Sequence, residues 1–316
     1  MPLLTEIPAS WDFPEQGSPL LDESIALLNY LMPKVFSDYE PSQFHPFRER
    51  LIDWLNNVDE TYDQQMLLAI LLDVFYVGRR EFEALFRSAY RGSITRWIVD
   101  LERIDVFSEN ADRAVAENAN NAWICPVSDS LRINSFLKVN GLKSKDVRPD
   151  WRSLRRLGDI SKIQDYVLKC KIGKLILLED FVGSGVQAQA AIRFASQTLP
   201  HVEILFCPLV VCPSGDIVME KLASALPNVQ YDPVLVLPPE AVLGYDETTI
   251  GPFAPVDEFL RRIMPRLSVL SEREMYGFEA TGAKVVLFSN CPNNTLPIFH
   301  YDTETWKPLF PRVTRQ

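Results

Sequence analysis

The stretch Lys174-Leu-Ile-Leu-Leu-Glu-Asp-Phe-Val-Gly-Ser-Gly-Val-Gln187 decides the fold. It reads as an unbroken apolar strand, two adjacent carboxylates, a small glycine-bearing loop and a helix that opens at Val186. A strand without polar alternation is covered on both faces, the usual condition of a parallel sheet. In open sheets of that kind, ligands sit beyond the carboxyl ends of the strands. Gly183 and Gly185 let the backbone turn tightly and approach an anion. The amides around Ser184, Gly185, Val186 and Gln187 open the helix, where unpaired N–H groups and the helix dipole favour a phosphate. Ser184 adds a hydroxyl donor. Glu179 and Asp180, just before the loop, are acceptors suited to paired sugar hydroxyls.

Working outward, the chain from residue 122 onward alternates short apolar runs with helical stretches. Strands are expected at 123–127, 174–178, 202–211, 234–237 and 284–289, and helices at 133–140, 186–198, 217–225 and 256–270. That alternation predicts an α/β fold with a mostly parallel sheet covered on both faces. The first third reads differently. Leu21, Ile25, Leu28 and Leu31 recur near a 3.6 period, and similar stripes follow at 44–58, 64–90 (with Gly78 as a break point) and 93–106. The absence of Gly- or Pro-rich turn clusters argues against strands there. The expected organisation is an acidic α-helical N-terminal domain over 1–118 and an α/β domain over 119–316. A C-terminal extension begins at about 290, either an ordered cover over the sheet or a partner-binding arm.

Composition bounds the function. Of 316 residues, 47% are hydrophobic and 23% charged, enough apolar material for a core, so wholesale disorder is excluded. The net charge of −10 speaks against a general basic coat for nucleic acid. Charge is unevenly spread: residues 1–120 hold 21 acidic and 10 basic side chains, a net of −11, whereas residues 132–174 hold 12 basic and 4 acidic, a net of +8. The apolar run 66–77 carries Asp73 and is too short to span a bilayer. With Glu6, Asp12 and Glu15 and no basic start, the N-terminus does not read as a secretory signal. Five cysteines, four of them followed by proline and none in a C-x-x-C, read as reduced thiols, and the expected location is cytoplasmic. Three scattered histidines offer little for a zinc site. Neither G-x-S-x-G nor G-x-x-x-x-G-K-[ST] occurs.

Glu-Asp-Phe-Val-Gly-Ser-Gly resembles the phosphoribosyl-pyrophosphate (PRPP) signature of type I phosphoribosyltransferases: a hydrophobic strand, two acids, two apolar residues, two small residues and glycine. The resemblance implies that Glu179 and Asp180 hold the ribose hydroxyls. It also implies that Gly183, Ser184, Gly185, Val186 and Gln187 wrap the 5′-phosphate. Gly183 and Gln187 depart from the Thr or Ser usual there. The loop Ser128-Asp129-Ser130, after the first core strand, would take pyrophosphate, with Mg²⁺ bridging ligand oxygens and no direct protein ligand to the metal. Trp123-Ile-Cys-Pro-Val-Ser-Asp-Ser-Leu-Arg-Ile-Asn134, Arg148-Pro-Asp-Trp151 and Cys291-Pro-Asn-Asn-Thr-Leu-Pro297 resemble the bacterial phosphoribosyltransferase-like proteins of conflict systems, some of which accompany retrons and other antiphage modules. That resemblance implies PRPP or a nucleotide as ligand and defence-system proteins as partners.

Several residues keep two readings. Asp129 and Ser130 are equally a helix N-cap. Asn290, Asn293 and Asn294 either read a base or cover it, or merely turn the chain. Lys143, Lys145, Arg148, Arg152, Arg155 and Arg156 close over an anionic ligand, bind nucleic-acid phosphates, or form a solvated face. The function that follows is transfer or cleavage at ribose C1 of PRPP or a nucleotide. The alternative is a catalytically inactive nucleotide-sensing or scaffolding module.

Overall fold

The structure is a computed structural model that describes residues 20–42, 45–143, 159–243 and 254–313. The chain forms two compact units: one made of both ends, residues 1–79 and 240–316, and one made of residues 80–239. The sequence pattern alone predicts a single boundary at 118.

The middle unit carries the main sheet. Five strands form it: β2 (Trp123–Pro126), β3 (Lys174–Val182), β4 (Glu203–Val211), β5 (Val229–Tyr231) and β6 (Leu235–Val236). The order is β2-β3-β4-β5, all parallel, and β6 also pairs with β4. β5 runs beside Ile204, Leu205 and Phe206, and β6 beside Val210 and Val211, so the two make one interrupted edge. Helices connect the strands: α4 (Arg79–Ser88), α5 (Thr95–Glu102) and α6 (Ala111–Asn121) before β2, then α7 (Ile133–Val139) and α8 (Ile160–Cys170) before β3. α9 (Val186–Thr198) joins β3 to β4, and α10 (Pro213–Ala225) joins β4 to β5. A π-helical turn over Ala89–Ile94 links α4 to α5. β3 and β4 are buried along nearly their whole length, as their unbroken Leu, Ile and Val runs require. Trp123, Ile163, Leu175, Ile192, Ile204 and Leu222 share the resulting core.

The other unit is mostly helical: α1 (Leu20–Lys34), α2 (Phe47–Leu55), α3 (Thr61–Leu72) and α11 (Ala254–Ile263). It also holds a two-stranded parallel pair, β1 (Phe75–Val77) with β7 (Val285–Leu287). This corrects two expectations. The N-terminal third is not free of strands, because three residues of the long apolar run leave the helix to pair with β7. The run at 284–289 does not join the main sheet, because β1 is its partner.

Residues 290–313 of the C-terminal extension are described and make specific contacts. They pack within the unit of the chain ends, against its N-terminal helices. Trp54 and Trp306 both donate their indole N–H to the Ile298 carbonyl, at 2.7 and 3.0 Å. Asn57 exchanges two hydrogen bonds with the Lys307 backbone. Phe310 lies among Phe36, Tyr39, Phe47 and Tyr76. Among the described residues no helix is long and apolar enough to cross a membrane.

Candidate functional site

Glu179 and Asp180 lie near the carboxyl end of β3, where Glu179 faces Pro208 of β4. Proline has no amide to give the ladder at that register. Both carboxyls are buried, at 7% and 4% exposure. Buried acids need donors, and a loop from the neighbouring strand supplies them. The Ser128 amide donates to Glu179 Oε2 at 2.8 Å, and its hydroxyl donates to Oε1 at 2.5 Å. The Ser130 hydroxyl donates to Asp180 Oδ1 at 2.8 Å and sits 2.5 Å from that of Ser128. Two of the groups singled out in the sequence, the acid pair and the Ser128–Ser130 loop, therefore meet across the β2–β3 edge. Asp129, between the serines, is exposed.

Burial, followed by the adjacent Asp180 charge, raises the Glu179 pKa well above the ordinary carboxylate range. Asp180 is raised as well, chiefly by burial, and the Ser130 hydrogen bond draws it partly back. The pair therefore holds a proton more tightly than two exposed acids would. Two acids pressed together out of water cost stability, and such arrangements concentrate where a ligand is handled.

Directly after β3, the chain turns through Gly183, Ser184 and Gly185 into α9. Gly185 is the N-cap and takes φ +82°, a left-handed conformation that glycine adopts without the steric penalty of a side chain. No side chain caps α9. The first main-chain bond closing this end joins the Gln189 amide to the Gly185 carbonyl, so the amides of Val186, Gln187 and Ala188 have no helical acceptor. Val186 and Gln187 are exposed and Ser184 half-buried. Among the described residues the Ser184 hydroxyl makes no hydrogen bond. This is an open helix N-terminus, able to accept an oxyanion.

Sequence reasoning passed over the contribution of α10. A Cβ on Gly215 would lie 2.4 Å from the Gly183 carbonyl oxygen and 3.0 Å from Val182 Cγ1. Nearby, the Cys212 amide donates to the Val182 carbonyl at 2.8 Å. The first turn of α10 thus butts against the Gly183 carbonyl. The only local signal was a glycine inside a helix, where glycine is disfavoured and is kept for close approach.

The asparagines lie in the other unit. Asn290 bonds the Val313 backbone in both directions, at 2.9 and 3.1 Å. Asn294 is buried and donates to the Phe278 carbonyl and to the Thr281 hydroxyl, at 3.1 and 2.8 Å. Both side chains are used in turning and clasping the chain. Asn293 lines a cavity instead. Of the basic stretch, Lys143 is described, with its amide bound to Asn120 Oδ1 at 2.9 Å. Lys145, Arg148, Arg152, Arg155 and Arg156 lie outside the described residues.

Compared with known proteins, residues 51–312 match one family model, described as PRTase-CE. No curated protein and no solved structure matches the chain significantly.

Proposed function

The chain belongs to the PRTase-CE family, and from that premise we propose that it binds PRPP or a nucleotide at the end of β3 and acts at ribose C1. One observation carries this reading: a buried, proton-holding acid pair is followed within five residues by an uncapped helix N-terminus. Glu179 and Asp180 would orient the ribose through its hydroxyls. Ser184, Gly185, Val186 and Gln187 would hold the 5′-phosphate, and Ser128, Asp129 and Ser130 would meet the pyrophosphate end. The rate gain would come from fixing the sugar and stabilising charge as the C1 bond breaks.

Mg²⁺ fits as a cation carried mainly by the ligand. Among the described residues no group of three or more His, Cys, Asp or Glu side chains is placed to hold a metal, and Mg²⁺ commonly takes most of its ligands from substrate phosphates and water. When bound, it would neutralise charge on the diphosphate. The biological setting we propose is a bacterial antiphage module, from the resemblance of the Trp123, Arg148 and Cys291 segments to conflict-system proteins.

One observation favours the second reading, a nucleotide sensor without turnover. The acids and serines already satisfy one another, and Gly183 and Gln187 lack the hydroxyls usual in the enzymes. Calorimetry with PRPP and Mg²⁺ tests the ligand: Ser184→Asp, which places a carboxylate where the phosphate would sit, should abolish binding. Undiminished binding would remove the loop from the proposal. Pyrophosphate release in the presence of candidate bases, lost in Asp180→Asn, separates enzyme from sensor. Tight binding without release by any base selects the sensor.

A further inference from the structure

The unit built from the chain ends contains a cavity of about 600 Å³ that the phosphoribosyl reading leaves unused. Pockets for small molecules run to roughly 300–1,000 Å³. Its wall includes Phe278, Glu279, Asn293, His300, Tyr301 and Arg312. Most of its charge is already spoken for. Glu279 pairs with Arg273 at 3.0 Å, and the Glu274 carboxylate accepts the Leu270 amide at 2.6 Å. Arg312 is exposed and has no carboxylate partner among the described residues.

His300 is 6% exposed, and its Nε2 lies 3.0 Å from the Thr295 carbonyl oxygen. A carbonyl only accepts, so Nε2 carries the hydrogen. Burial lowers the ring's pKa to about 4, so it is neutral near pH 7. Nδ1 is then a lone-pair acceptor, with no donor among the described residues. A buried acceptor left without a donor is costly, and a ligand N–H would relieve it. Phe278, 43% exposed, and half-buried Tyr301 add aromatic faces. The turn bearing Phe278 is tied to the Asn293 carbonyl by its amide at 2.9 Å. That turn includes two non-glycine residues in the left-handed region, Glu279 at φ +54° and Ala280 at φ +50°. Backbone of that kind persists only where its surroundings hold it.

We propose that this cavity is a second ligand site, for a nucleotide whose base lies against Phe278 and Tyr301 and donates to His300 Nδ1, and whose phosphate pairs with Arg312. The site does not depend on the phosphate loop. The test therefore uses the full chain carrying Ser184→Asp, with AMP, GMP, CMP and UMP, their nucleosides, and inorganic phosphate as probes in calorimetry. At least one monophosphate should bind. Adding Arg312→Ala, an exposed change that leaves the core alone, should weaken it at least about tenfold, the scale of a charge-assisted contact, while the matching nucleoside is unaffected. The chain has three histidines, His45, His201 and His300. In ¹⁵N spectra the His300 Nδ1 resonance should therefore be assignable, and it should shift toward that of a hydrogen-bonded acceptor on adding nucleoside. The proposal is overturned if no monophosphate binds, if Arg312→Ala binds unchanged, if inorganic phosphate binds as tightly as the nucleotide, or if Nδ1 does not move.

Discussion

At the scale of single residues, Glu179 trades stability for poise. Its folded pKa is raised, so the native state keeps a proton that the unfolded chain releases near pH 4.3. The associated stability is complete below that pH and is lost as pH rises through the folded value. Glutamine reproduces the protonated acid: its carbonyl can accept the Ser128 amide and its NH₂ can donate to Asp180. Glu179→Gln should therefore melt higher than wild type at pH 8, by roughly 1 kcal/mol or a few degrees, and the gap should close towards pH 4. A melting series across that range that runs parallel for both proteins refutes the assignment. Gly215 makes the opposite case, a residue silent in charge and decisive in shape. Gly215→Ala must push the Gly183 carbonyl aside, because 2.4 Å is no contact a Cβ can keep. We expect about 1–3 kcal/mol of destabilisation in chemical denaturation, together with weaker binding of phosphate-bearing sugars. The acid pair and the loop were legible because each is a local pattern. The Ser128–Glu179 and Gly215–Gly183 contacts were not, because they join strands and helices through space.

At the scale of elements, α9 spans Val186–Thr198, the same limits as the apolar period predicts. β4 starts one residue later than expected, at Glu203. Long periodic elements are the readable ones. β1 was hidden because three residues, Phe75, Tyr76 and Val77, continue an apolar run with helical spacing, and only the distant β7 makes them a strand. α6 escaped notice because Ala and Asn dominate it, leaving Val115 and Ala119 as its buried stripe. α8 was read for its charge and not for Ile163 and Val167, its buried positions. One helix-to-tail contact carries a prediction. Arg50 of α2 is buried without a carboxylate partner among the described residues. It donates to the His45 and Leu309 carbonyls and lies over Tyr39, Phe47 and Phe310 at 5.4 to 6.0 Å. Arg50→Ala removes those ring contacts and strands two carbonyls, which should cost about 2–4 kcal/mol in urea unfolding and expose the residues around Phe310 to protease first. Equal stability would mean the guanidinium is a passenger.

At the scale of the whole molecule, residues 80–239 have their own sheet and core. Expressed alone they should unfold in one cooperative transition, whereas residues 240–316 alone should show none, because the helices and β1 they pack on lie in the first 79 residues. A calorimetric scan of each fragment decides this. The sequence pattern located the sheet-bearing part but put its edge at 118, since α4, α5 and α6 continue the run of helices of the N-terminal third and are told apart from it only by the unit they belong to. The β1–β7 pairing has a consequence during synthesis. Phe75, Tyr76 and Val77 leave the ribosome long before Val285, Val286 and Leu287 exist. At typical elongation rates of about 5–20 residues per second, the nascent segment waits on the order of ten to forty seconds. Throughout that interval Trp54, Phe36 and Tyr39 lack the tail that later encloses them, which makes the emerging amino-terminal third a natural client for a holding chaperone.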